Sequence, residues 1–290
     1  MSNPFAHISR TRLTSAPVLQ TLPTPSLPTL DSMTMYKTWL TNFTNVPTIL
    51  FGNAFTKQQM MISIPSSTTK SNIDAIDANM IDSIVRLLRV LCLMKMIEEE
   101  YIDINSTQAF HYLATNNHEK LDELLEDKLH HLHPQPREST PTQESSVFLD
   151  WMSYVQVKVL HPCGVTTCSI SEMNVEDVAK VLCMLLNKGV SVTGTAVTGA
   201  NTRVFTRSSV NYMLQTHIDH ECVFVGCQAK QMMLGYKIRK QCHSKAAFLT
   251  SNLLMDAGWL MDIDSGMFLL VSSEQEATVV QHYQKMCKYL

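Results

Sequence analysis

The sequence predicts an α+β protein: an extended N-terminal arm, a helical middle region and a mixed α/β C-terminal domain. Three observations carry that prediction. Residues 1–35 are rich in Pro, Ser and Thr and hold little to bury. No glycine occurs between Asn53 and Pro162 and no proline between Ser66 and His133, so nothing in that stretch breaks a helix. Beyond residue 147, short β-branched runs alternate with helical patterns. The expected units are an arm at 1–35, a helix-rich domain at 36–132, a linker at 133–146 and an α+β domain at 147–290.

The arm spaces proline with Leu and Thr from Leu19 to Leu30, which favours extended or polyproline backbone. Such a segment orders when it lies along a neighbouring surface. Two strands are expected next, at Thr48–Phe51 and Met60–Ile64, the second ending at Pro65. Ser71-Asn72-Ile73-Asp74 resembles a helix start. Ile73, Ile76, Met80, Ile81, Ile84, Leu87, Leu88 and Leu91 then recur at helical spacing, predicting a helix from about Asn72 to Glu100. Its second half is apolar nearly all round, as in a buried helix. Shorter helices follow at 106–115 and 118–132. The second of these ends in His130, His131 and His133, which suit the negative end of a helix dipole.

The linker holds Pro134, Pro136 and Pro141 among small polar residues. Past it, Tyr154–Leu160 alternates like a strand. Val175–Lys188 reads as a helix with Asn174 as N-cap and Gly189 just beyond its end. A strand at Val190–Val197, a helix at Arg207–His217 and a strand at Cys222–Val225 follow. The C-terminal stretch predicts a helix at Lys245–Ala257 closed by Gly258, a strand at Met267–Val271 and a helix at Ser273–Tyr289.

Charge is uneven along the chain. Residues 1–70 carry five basic side chains and one acid, residues 71–150 six bases and fifteen acids, and residues 151–290 twelve bases and ten acids. With a net charge of −3, the whole chain shows no general attraction for polyanions. No export signal and no run long enough to span a membrane is read. Eight cysteines spread through such a chain are expected as free thiols. The location implied is intracellular, in cytoplasm or nucleus or within a virion.

Several constellations have residue types that carry chemistry. His217, His220, Cys222 and Cys227 have the residue types of a zinc site. In a single strand, however, five residues of separation would set the two cysteines on opposite faces, and no metal is assigned. Cys168, with His161 nearby, is the best thiol nucleophile if it opens a helix. Gly194 and Gly199 bracket Thr195-Ala196-Val197-Thr198 but lack the Gly-Lys-Ser/Thr ending of a phosphate loop. No cofactor is implied. The basic residues Arg203, Arg207, Lys230, Lys237, Arg239, Lys240 and Lys245, with Tyr236 among them, suit phosphate contacts plus base stacking.

On this reading the chain is a non-catalytic assembly protein: a shell, scaffold or nucleocapsid-type subunit acting through contacts with other subunits in a homo- or hetero-oligomer, and not an enzyme. An RNA- or DNA-binding protein using the 203–245 region is the alternative, and a cysteine-dependent enzyme the next. No membrane partner is expected.

Overall fold

The computed structural model describes residues 48–62, 78–132, 150–167, 169–191, 202–215, 217–224, 227–239, 247–250, 258–272 and 281–282. The expected arm and the 133–146 linker lie outside them. The polypeptide opens with two strands, β1 (Thr48–Asn53) and β2 (Gln58–Ile62), joined by a tight turn. Asn53 makes that turn: its side-chain oxygen accepts from the Phe55 and Thr56 amides at 2.9 and 3.1 Å.

Three helices follow: α1 (Ala78–Glu98), α2 (Thr107–Ala114) and α3 (His118–Leu132). In α1, Met80, Ile84, Leu87, Leu88, Leu91 and Met94 are all buried, as are Val90, Cys92 and Leu93 between them. A helix buried on so much of its circumference is a core element and not a surface one. It packs on α3, on α4 (Trp151–Val155) and on the sheet.

The run from Tyr154 to Leu160, expected as a strand, is helical. Asp150 caps α4 by accepting from the Ser153 amide at 2.7 Å, and the chain continues through a wide turn at Gln156–Leu160 and a tight one at His161–Cys163. Seven residues cannot separate a period of 2 from one of 3.6, and here burial against α1 decides.

The chain then forms a short turn at Ile170–Glu172, α5 (Val175–Leu186), the strand pair β3 (Val190–Ser191) and β4 (Thr202–Arg203), and α6 (Arg207–Gln215). Asn174 caps α5 as expected, accepting from the Asp177 amide at 2.9 Å. Gly189 closes that helix at φ +86°, and its amide donates to the Met184 carbonyl at 2.9 Å.

The remaining strands are β5 (His217–Phe224), β6 (Cys227–Met232), β7 (Gly235–Arg239), β8 (Ala247–Thr250), β9 (Gly258–Asp262) and β10 (Met267–Ser272). The helix expected at Lys245–Ala257 therefore gives way to β8, and Gly258 opens a strand. Most of the expected final helix lies outside the described residues. One eight-stranded sheet collects the strands in the order β2-β1-β10-β9-β8-β7-β6-β5. Its described pairings are antiparallel.

The decisive pairing is β1 with β10, running from Thr48↔Ser272 to Asn53↔Met267. It joins strands from either side of the expected 133–146 boundary. All five residues of β9 are buried, so the centre of the sheet is covered on both faces. The helix α5 packs on β1 and β10, and α1 on β9. Among the described residues no helix is long and apolar enough to cross a membrane.

Candidate functional site

A polar cluster gathers where α1 ends. The Tyr154 hydroxyl donates to Glu99 Oε2 at 3.0 Å, and Lys158 Nζ donates to both Glu99 oxygens at 3.1 and 3.2 Å. One turn back, Lys95 Nζ donates to Glu98 Oε2 at 3.2 Å and to the Val204 carbonyl at 3.0 Å. Glu98 accepts in turn from the Thr206 amide at 2.7 Å. Burial, and then the Glu99 charge, push the Tyr154 hydroxyl well above its ordinary range, so it stays a proton donor. Tyr154 is completely buried. The cluster holds α4 and the start of α6 against α1, and no substrate reaches the hydroxyl.

A second cluster braces the middle of α1. Arg89 makes a bidentate pair with Asp122 of α3, both contacts at 2.7 Å, and its guanidinium lies 5.5 Å from the Trp151 ring centre. Arg86 donates to the Asn116 side chain. These groups hold helices together.

Burial disfavours the thiolate of Cys92, Cys163 and Cys183. Cys92 and Cys163 are buried, and burial pushes the Cys163 thiol up to about 12 and that of Cys183 to about 11. The Cys168 side chain lies outside the described residues. The helix that would activate it starts only at Val175, beyond the turn at Ile170–Glu172, so the dipole argument for Cys168 with His161 loses its geometry.

The metal-like residues fall on a hairpin and not at a helix end. His217, His220 and Cys222 belong to β5 and Cys227 opens β6, with Cys222↔Ala229 and Phe224↔Cys227 in register. The single-strand alternation argument therefore does not cross the turn between them. Among the described residues no group of metal-ligating side chains gathers.

The eight basic and aromatic positions scatter over several elements. Arg203 donates to the Lys188 and Phe205 carbonyls at 3.3 Å each, so it braces the end of α5. Arg207 opens α6 and is exposed. Lys230 on β6 stands directly opposite Lys237 on β7, and Tyr236 opposite Gln231. Lys237 also lines a cleft beside α6. Arg239 ends β7, and Lys240 and Lys245 lie outside the described residues.

Comparison with solved structures identifies the fold. Unliganded simvastatin synthase (LovD) from Aspergillus terreus superposes with a TM-score of 0.55 at 10% identity, over 90% of this chain and 98% of that one. A penicillin-binding protein from Bacillus halodurans gives a TM-score of 0.51 at 10% identity, over 89% and 98%. At that identity the likeness is one of fold. No family model matches the chain, and no curated protein sequence does.

This finding corrects the functional expectation. The chain shares its fold with a synthase and a penicillin-binding protein, neither of them named as a shell, scaffold or nucleocapsid subunit. The readings of a non-catalytic assembly protein, and of a protein that is no enzyme, are therefore overturned. The error has a physical source. Missing glycine signatures exclude phosphate loops and glycine-flanked nucleophile turns, but a serine activated by a lysine requires no glycine. The composition of an arm says nothing of the chemistry of the body it precedes.

The sequence reasoning also passed over a local signal. Ser67-Thr68-Thr69-Lys70 stands between β2 and α1 and is the only Ser-x-x-Lys in the chain. Its structure lies outside the described residues. The signal was present in the letters and required no fold to find.

Proposed function

We propose that this chain is a serine acyl-transfer enzyme, a hydrolase or transferase in which Ser67 carries the acyl group and Lys70 is its base. Two things support the reading. The fold is shared with a penicillin-binding protein, and proteins of that name use the serine of a Ser-x-x-Lys motif as nucleophile. The one such motif here lies in the stretch before α1, the longest helix among the described residues. The carrying observation is Ser67-x-x-Lys70 itself. Groups three residues apart share one face when the backbone is helical, which is the relation a nucleophile needs to its base.

In the step proposed, Ser67 Oγ bonds to the carbonyl carbon of an ester, thioester or amide while its proton passes to the neutral Lys70 amine. The tetrahedral oxyanion collapses, and the leaving group departs with the proton from Lys70. The resulting acyl-serine then transfers to water or to a second nucleophile by the same path in reverse. Ser-Asp-Asn and Lys-Thr-Gly, the companion motifs of such enzymes, are absent from this sequence, so other residues fill those roles.

The test is covalent trapping. Full-length protein is treated with a fluorophosphonate, a fluorescent penicillin and a panel of activated thioesters, and the adduct is mapped by peptide mass. One adduct at Ser67 is expected, absent from Ser67→Ala and formed roughly a hundredfold or more slowly by Lys70→Ala. Adducts at another residue, or adduct formation that survives Ser67→Ala, would refute the assignment, as would silence with every probe.

A further inference from the structure

A cleft of about 190 Å³ opens between the end of α5, α6, β7 and the turn joining β9 to β10. Its lining is Lys188, Asn211, Leu214, Gln215, Lys237, Ile263 and Asp264. Asn211, Leu214 and Gln215 come from one face of α6, at spacings of three and four. Lys188 follows α5 in a left-handed conformation, φ +56°, and Gly189 after it continues the turn at φ +86°.

We propose that this cleft binds a small organic carboxylate, held by the Lys188 and Lys237 ammonium groups with the Asn211 and Gln215 amides as further donors. Among the described residues none of these four side chains, nor that of Asp264, makes a hydrogen bond or ion pair. Donors that line a cavity and have no partner among the described residues point to a ligand site. The charge balance sets the sign of the ligand. Lys188 and Lys237 line the cleft, Arg207 acts on Lys188 from the start of α6, and Asp264 is the single acid of the lining.

The walls choose among anions. Leu214 is buried and Ile263 half-buried, so the cleft offers apolar contact to methylene groups that a bare inorganic ion does not have. Asp264 disfavours a compact dianion such as sulfate more than an extended carboxylate that can lie away from it. Burial, and then Arg207, hold the Lys188 amine below its ordinary range, and a carboxylate beside it offsets both effects.

The inference does not depend on Ser67. Calorimetric titration of the full chain compares succinate with its neutral isostere succinamide and with sulfate. Succinate is expected to bind and the other two not. Lys188→Gln and Lys237→Gln should each weaken it about tenfold or more, the effect of one lost charge-assisted hydrogen bond. Asp264→Asn should instead tighten binding severalfold, an effect that misfolding cannot imitate. Absence of succinate binding overturns the proposal, as does equal binding of sulfate or an affinity unchanged in the lysine variants. If a lysine variant fails to fold, an Asp264→Asn affinity no higher than wild type is sufficient to overturn it.

Discussion

Replacing Gly189 by alanine tests the corner on which the end of α5 turns. The residue sits at φ +86°, a region L side chains avoid at a cost of about 1–2 kcal/mol. A Cβ built there would lie 2.3 Å from the Phe205 carbonyl oxygen and 2.9 Å from its carbon. The obstacle is backbone, so it cannot rotate aside. Gly189 also accepts from the Val204 and Phe205 amides at 2.8 and 3.2 Å. Opening the contact stretches at least one of these bonds, at about 1 kcal/mol.

The sum is about 2–3 kcal/mol, a large share of the roughly 5–15 kcal/mol that holds a typical domain. Urea unfolding followed by far-ultraviolet circular dichroism measures it, with the denaturant slope unchanged if the native fold persists. Lys188→Asn is the control: it sits at φ +56°, where asparagine is better tolerated, and should be neutral or slightly stabilising. A Gly189→Ala loss under about 0.5 kcal/mol would show that the close approach and the turn are not as described.

Three further outcomes are expected. Asn174→Ala removes the cap of α5 and should cost about 1 kcal/mol in the same unfolding assay. Arg89→Met leaves Asp122, whose side chain is only 25% exposed, without its partner; a loss of about 1–3 kcal/mol is expected, partly recovered in the double variant with Asp122→Leu. His282 is buried, and burial pushes it down to about 4 from its ordinary 6.5. The unfolded chain therefore takes up a proton that the folded one refuses between those values. Stability should be full above pH 6.5, fall by up to about 3 kcal/mol as pH drops to 4, and level off below. Unfolding free energies measured across that range should lose this component in His282→Asn.

Elements with long, regular patterns were legible in the letters. Met80 through Met94 marked α1 as a buried helix, Leu121, Leu124, Leu125 and Leu129 set the inward face of α3, of which Leu124 is only half-buried, and Asn174 with Gly189 bounded α5, because these signals lie within a few turns of one another. The same locality makes Ser67-x-x-Lys70 readable without a structure. Short stretches failed. Tyr154–Leu160 read as strand and is helix, and Lys245–Ala257 read as helix and holds β8, because a handful of residues fits either period until a neighbour covers one face.

What the chain determined alone was its long helices and several of the residues that end them, each written within a short span. What only the folded molecule decided was the partnership of β1 with β10, more than two hundred residues apart, and the meeting of Lys188, Lys237 and Asp264 around one cleft. Register between distant strands follows from which faces the helices bury, and a cleft follows from where several elements end. Both are properties of packing, and no local stretch of sequence carries them.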